Sequence, residues 1–168
     1  MINILYPQLY VESLFEIDLE MLKKRGIQGI IFDLDNTIIP RDQKNFSPDI
    51  SEWLSELKEQ NFKLCIVSNN RRQHRVSYLA QALDIPYIYK AGKPRRKAFR
   101  RAMQLLSTDA ITTAVIGDQV FTDVYGGNRV GLFTILVVPL PGKEFWGTTF
   151  FNRRLEKLVL SKIKKRLS

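Results

Sequence analysis

Five short apolar runs, at residues 29–34, 63–68, 87–89, 113–117 and 133–138, recur along the chain, rich in Ile and Val and separated by longer stretches of helical spacing. Runs that are apolar almost throughout, without polar alternation, read as strands buried on both faces. Helices are predicted around 17–24, from Ser47 and Pro48 through Trp53, Leu54 and Leu57, and over 72–83, 95–106 and 121–129. Ser47 followed by Pro48 is a cap and first-turn pair, which fixes where the second of these begins. Buried strands joined by crossover helices predict a mainly parallel five-stranded, Rossmann-like sheet in a three-layer α/β/α sandwich. Such sheets bind ligands at the carboxyl ends of their strands, so residues that do chemistry are expected just after the apolar runs.

With 168 residues and 45% apolar content, the chain is expected to form one domain over 1–168, with a core at about 26–140 and a basic amphipathic tail at about 141–168. Cys65 is the only cysteine, so no internal disulfide can form, and its place inside an apolar run makes it a core residue rather than a nucleophile. Neither a signal peptide nor an apolar run of membrane-spanning length is visible, and a cytoplasmic location is expected. The single histidine, His74, excludes a multi-histidine zinc centre and reads as a surface residue among Arg71, Arg72 and Arg75. Gly126-Gly127 lacks a following Lys-Ser/Thr and reads as a tight turn rather than a phosphate loop.

The polar residues fall where the sheet requires them. The first run passes into Asp33-Leu34-Asp35-Asn36-Thr37, the second ends at Ser68-Asn69-Asn70, the third is followed by Gly92-Lys93-Pro94, and the fourth leads into Gly117-Asp118-Gln119 with Thr122-Asp123 close behind. Any one of these could be a turn former. Together they suit phosphate ester cleavage. A carboxylate ~4 Å from a phosphate oxygen meets repulsion of about 4 kcal/mol per charge pair at an effective dielectric of 20, so the site must supply positive charge. Mg²⁺ on the oxygens of Asp33, Asp118 and Asp123 would do so, with Lys93 opposing the phosphoryl oxygens. Ser68 and Asn69 would hydrogen-bond the phosphate. Asp33 would be the covalent nucleophile, Asp35 the acid and then the base, and Thr37 a supporting residue that holds Asp35.

Asp33-x-Asp35-x-Thr37, Ser68, Lys93 and Gly117-Asp118 with Asp123 resemble the four ordered motifs of the haloacid dehalogenase (HAD) superfamily of phosphatases, over residues 29–138. The resemblance implies an aspartyl-phosphate intermediate and a metal held by the Asp33 carboxylate, the Asp35 backbone carbonyl and Asp118, with Asp123 in support. Phe32 to Thr37, preceded by Ile-Asp-Leu-Glu, and Gly117-Asp118-Gln119-x-x-Thr122-Asp123 resemble the YqeG branch, which is similar to phosphatidylglycerophosphate phosphatases. Only 30 residues separate Thr37 from Ser68 and 24 separate Ser68 from Lys93, too few for the cap domain that many members insert there. An open site that admits a phosphate on something large or anchored is therefore expected.

The net charge of +9 is concentrated. Seven basic and no acidic residues lie between Lys90 and Arg101, and residues 141–168 carry eight basic residues against Glu144 and Glu156. In the tail, Trp146, Phe150, Phe151, Leu155, Leu158, Val159 and Ile163 recur at near-helical spacing beside Arg153, Arg154, Lys157, Lys164 and Lys165. Such a pattern suits either peripheral contact with the inner face of a membrane or docking on the domain. A phosphorylated anionic lipid head group, such as phosphatidylglycerophosphate, is the first substrate reading. A nucleic-acid end or a phosphoprotein is the second. The alternative of another class is a non-catalytic membrane or RNA-binding adaptor on the same fold, which the intact Asp33 and Asp35 disfavour.

Overall fold

The computed structural model describes residues 4–141, 157 and 160–162. Its centre is a wholly parallel sheet of six strands: β1 (Leu9–Val11), β2 (Gly29–Phe32), β3 (Lys63–Val67), β4 (Tyr87–Ile88), β5 (Thr113–Gly117) and β6 (Phe133–Val137), in the order β1-β6-β5-β2-β3-β4. The helices are α1 (Leu19–Lys24), α2 (Pro48–Glu59), α3 (Gln73–Ala82), α4 (Arg96–Leu106) and α5 (Tyr125–Val130).

Alternate residues of the central strands feed two separate cores. Ile30, Phe32, Leu64 and Ile66 pack with Leu22 of α1, Trp53, Leu54 and Leu57 of α2, and Val76 and Leu79 of α3. Ile31, Cys65, Val67 and Val115 face the other way, onto Ala98, Phe99, Ala102 and Leu106 of α4. Both faces of the sheet are thus covered, which is why β2 is apolar at every position and fully buried. Caps fix the helix entries: the Asp18 side chain accepts from the Met21 N–H, and Ser47 accepts from the Ile50 N–H ahead of Pro48.

The expected five strands are six. Strand β1, Leu-Tyr-Val, is only three residues long; Val11 joins the core, and polar contacts anchor the chain around it. Gln8 donates its N–H to the Thr134 carbonyl, and its side-chain oxygen accepts from the Thr134 N–H and hydroxyl. The Asn128 amide donates to the carbonyls of Ile4 and Tyr6. Gly126 and Gly127 correct a second expectation, since they lie inside α5 rather than in a tight turn. Side chains there would strike Phe99 of α4 and Val115 of β5, each about 2.5 Å from an added Cβ, so the pair lets α5 sit close to its neighbours. The stretch expected as one helix over 121–129 begins as a π-helical turn, Val120–Val124, before α5.

His74 is exposed on α3 and Cys65 is buried in β3, where burial pushes its thiol up to about 12. Between β2 and β3 lie a loop and α2, and between β3 and β4 lies α3, with no inserted cap among the described residues. The apolar positions expected on the tail helix, from Trp146 to Ile163, lie outside the described residues; Leu160 is partly buried against Val120, Val124 and Leu136. Among the described residues no helix is long and apolar enough to cross a membrane.

Candidate active site

The sheet order places β2 between β3 and β5, so the chain leaves β2 for one side and later returns on the other. At this switch point the carboxyl ends of three adjacent strands open onto one cleft. Asp33 follows β2, Ser68 follows β3 and Asp118 follows β5. Lys93, after β4, crosses to the centre, where its ammonium lies 2.8 Å from Asp33 Oδ1 and 2.7 Å from Asp123 Oδ1. Thr37 Oγ1 lies 3.0 Å from Asp118 Oδ1 and 3.3 Å from Asp33 Oδ2. All of these residues except Asp35 are buried, an unusual density of polar groups in a domain of this size.

Asp123 reaches the centre from the π-helical turn because the strand end beneath it is Gly117. A Cβ at Gly117 would fall 2.2 Å from the Asp123 carboxyl carbon. The second Asp123 oxygen accepts from the Gln119 N–H at 3.2 Å. Asn69, expected to bind phosphate, instead clamps the Lys93 peptide: its Oδ1 accepts from Lys93 N–H at 2.8 Å and its Nδ2 donates to the Lys93 carbonyl at 3.1 Å. The Ser68 hydroxyl oxygen accepts from the Asn70 N–H at 3.0 Å, leaving its hydrogen to be donated toward the cleft.

Thr37, expected to hold Asp35, touches Asp33 and Asp118 instead. Asp35 is held by two residues that the motif pattern does not single out. The Asn70 amide donates to Asp35 Oδ2 at 2.7 Å, and Arg75 donates through Nε and Nη2 to Oδ1 at 3.0 and 2.9 Å. Arg75 also donates to the carbonyls of Gln43 and Pro40, tying the loop after Asp35 to α3. Asn70 could have been suspected from its place beside Ser68 and Asn69, but Arg75 is 40 residues from Asp35 and carries no spacing signal.

Three buried carboxylates meet at a centre with one ammonium, which contacts two of them, Asp33 and Asp123. Burial works against the Lys93 charge, but Asp123 and Asp33 outweigh it and hold the group well above the usual lysine range. Burial, reinforced by Asp33 and Asp123, drives Asp118 well above the ordinary carboxylate value. Asp123 is raised by burial to about 6, against the opposing pull of Lys93. The cluster is therefore short of positive charge. Asp33, Asp118 and Asp123 each offer a carboxylate oxygen within 4.8 Å of the others, which fits a divalent cation bound by hard oxygen ligands. Around this centre lies a cleft of about 730 Å³, lined also by Asn36, Arg41, Arg71, Arg72, Gln119 and Thr122.

A family model described as mitochondrial PGP phosphatase matches residues 2–139. The chain belongs to that family. It is 46% identical over 160 residues to "Probable phosphatase YqeG" of Bacillus subtilis, covering 95% of this chain and 92% of that protein. It is 27% identical to the chloroplastic/mitochondrial phosphatidylglycerophosphate phosphatase 1 of Arabidopsis thaliana, covering 95% of this chain but 47% of that one. Among solved structures, the cobalt-bound deoxy-D-mannose-octulosonate 8-phosphate phosphatase of Haemophilus influenzae superposes with a TM-score of 0.57 at 16% identity, covering 85% of this chain and 92% of that one. A HAD phosphatase from Thermococcus onnurineus gives 0.58 at 17% identity, covering 72% and 90%. The protein is thus a HAD-superfamily phosphatase of the YqeG kind.

The raised carboxyl groups have a consequence for stability. A carboxyl group whose folded pKa exceeds its unfolded value contributes stability that is fully present below the unfolded value and is lost as pH rises through the folded one. For Asp123 that window runs from the ordinary aspartate value of 3.8 to about 6. A divalent ion that binds the ionised cluster offsets the loss above this window. In thermal unfolding, added Mg²⁺ is expected to raise Tm more at about pH 7.5 than at about pH 5. Asp118→Asn should raise the metal-free Tm at the higher pH and shrink the Mg²⁺ effect.

Proposed function

We propose that the protein is a Mg²⁺-dependent phosphomonoesterase that forms an aspartyl-phosphate on Asp33 and acts on an anionic phospholipid head group such as phosphatidylglycerophosphate. The observation that carries the chemistry is the contact of Lys93 with both Asp33 and Asp123 at the floor of an uncapped cleft whose wall holds Asp35. Lys93 offers its charge to phosphoryl oxygens arriving at Asp33, and Ser68 offers a hydroxyl hydrogen. Asn69 acts through Lys93 by fixing its peptide.

An Asp33 oxygen attacks phosphorus and the bond to the leaving oxygen breaks, while Asp35 gives that oxygen a proton. Water then attacks the phosphoryl-Asp33 phosphorus and passes a proton to Asp35, regenerating the Asp33 carboxylate and releasing phosphate. A divalent ion on Asp33 and Asp118, with Asp123 close by, supplies charge neutralisation when bound. Lipid specificity is supported by the relatives named as phosphatidylglycerophosphate phosphatases and by a cleft over which the described residues insert no cap.

The direct test measures phosphate release from phosphatidylglycerophosphate in mixed micelles against 5′-phosphorylated oligonucleotides, for the wild type and Asp33→Asn with Mg²⁺ or chelator. The lipid is expected to be preferred, and Asp33→Asn or chelation to remove at least about 10³-fold of the rate. Preference for oligonucleotides would refute the substrate, and undiminished Asp33→Asn activity the nucleophile.

Arg75 gives a separate prediction through its hold on Asp35. General acid catalysis matters for a poor leaving group and little for p-nitrophenolate. Arg75→Ala should therefore lower kcat/KM for an alkyl phosphate about tenfold more than for p-nitrophenyl phosphate, a fraction of what general acid catalysis contributes. Arg75→Lys should recover part of the difference.

A further inference from the structure

Positive charge around the site exceeds what a phosphomonoester needs. The monoester is met at the floor of the cleft by Lys93, yet Arg41, Arg71 and Arg72 also line its wall. Beyond Arg72 the surface opens into a second basin of about 630 Å³, lined by Lys44, Asn45, Arg72, His74, Arg75 and Tyr78. Arg72 borders both spaces, which adjoin at its side chain. Among the described residues, no Asp or Glu lines the basin.

Two of the basin's polar groups are already committed. Arg75 is engaged with Asp35 and the loop carbonyls, and the Tyr78 hydroxyl donates to Asn45 Oδ1 at 2.9 Å. They shape the basin and hold its walls. Lys44, from the loop after Asp35, and Arg72, at the start of α3, are exposed and bring charge to it from two sides. Folding does not explain this arrangement. Arg71, Arg72, His74 and Arg75 crowd the beginning of α3, where the helix dipole is itself positive, and the first turn has no acidic residue. Arg75 is balanced by Asp35, but Arg71 and Arg72 repel each other and the dipole, a cost that a bound anion would relieve.

We propose that this basin is a second anion subsite, which takes the phosphodiester of the lipid head group one glycerol unit away from the phosphomonoester held at Asp33. The proposal rests on the phospholipid reading above and deepens it into a selectivity rule: a substrate with a diester next to its monoester is bound at two points, and a simple monoester at one. A lipid is favoured over a nucleic acid because, of the described residues that line the two spaces, only Tyr78 and His74 carry rings on which a base could stack.

The test compares wild type with Lys44→Glu/His74→Ala, which touches residues of the basin alone, on dihexanoyl-phosphatidylglycerophosphate below its micellar concentration, on glycerol 3-phosphate and on p-nitrophenyl phosphate. Both residues are exposed, and neither belongs to the catalytic machinery. The double variant is expected to lose about tenfold or more in kcat/KM on the lipid, through KM, because charge-assisted hydrogen bonds to the diester are removed. The two simple monoesters should change less than about twofold, as uniform binding at Asp33 is untouched. Lys44→Arg with His74 intact should keep most of the lipid activity.

A binding measurement separates the subsite from the reaction. Dihexanoylphosphatidylglycerol carries the diester without the monoester, and its affinity by calorimetry should fall by a similar factor in the double variant. If turnover fails on every substrate while this difference persists, the subsite stands and the phosphatase chemistry falls. Equal losses on all three substrates, or no loss on the lipid, would overturn the subsite and leave the phosphatase reading intact. A loss seen only with a 5′-phosphorylated oligonucleotide would also overturn it, and would make the basin a nucleic-acid contact.

Discussion

One ammonium group, on Lys93, lies between carboxylates that would otherwise repel each other in a buried site. Its contacts with Asp33 and Asp123 draw the ends of β2, β4 and β5 to a single point. Removing one partner of a buried charged pair typically costs about 3–5 kcal/mol, because the other is left uncompensated. The positions of Asn69, which clamps the Lys93 peptide, and Gly117, which makes room for Asp123, both follow from keeping this arrangement. So does the demand for a cation. With Asp118 added, the cluster holds three acids and one base, and Asp118 and Asp123 are pushed toward protonation unless a divalent ion completes it.

The fold makes this cluster possible through the switch in strand order at β2. Strands apolar at nearly every position must be covered on both faces, and the two cores supply that cover through α1, α2 and α3 on one side and α4 and α5 on the other. Those same continuous apolar runs made the parallel sheet legible in the sequence, along with the strand ends that carry Asp33, Ser68 and Asp118. Strand β1 escaped because Gln8 and Asn128 hold it through polar contacts across about 120 residues, which no local pattern reveals. Gly126 and Gly127 were misread for a related reason: a glycine pair looks the same whether it supplies a turn or a close helix approach, and only Phe99 and Val115 distinguish the two.

The site residues were legible as a set, but their partnerships were not. Thr37 sits two residues from Asp35 in the chain yet bonds to Asp33 and Asp118, since the loop turns its hydroxyl into the centre. Asp35 faces the opposite wall and is fixed by Asn70 and Arg75 from the next strand–helix unit. The proposed nucleophile and proton carrier are thus built into different polar networks. Lys93 and Thr37 surround Asp33 in a buried centre, whereas Asp35 meets the open cleft and shares Arg75 with the wall of the basic basin. On the proposed function, that division lets the buried centre be tuned for phosphoryl transfer while the outer wall meets a large or anchored substrate.

The central claim is that Asp33 itself takes up the phosphoryl group, and acid quenching during turnover followed by peptide mass spectrometry tests it most directly. The account predicts one phosphoryl group on Asp33, lost on incubation with hydroxylamine and absent from Asp33→Asn. A phosphoryl group on a different residue would contradict it, as would Asp33→Asn turning over at the wild-type rate.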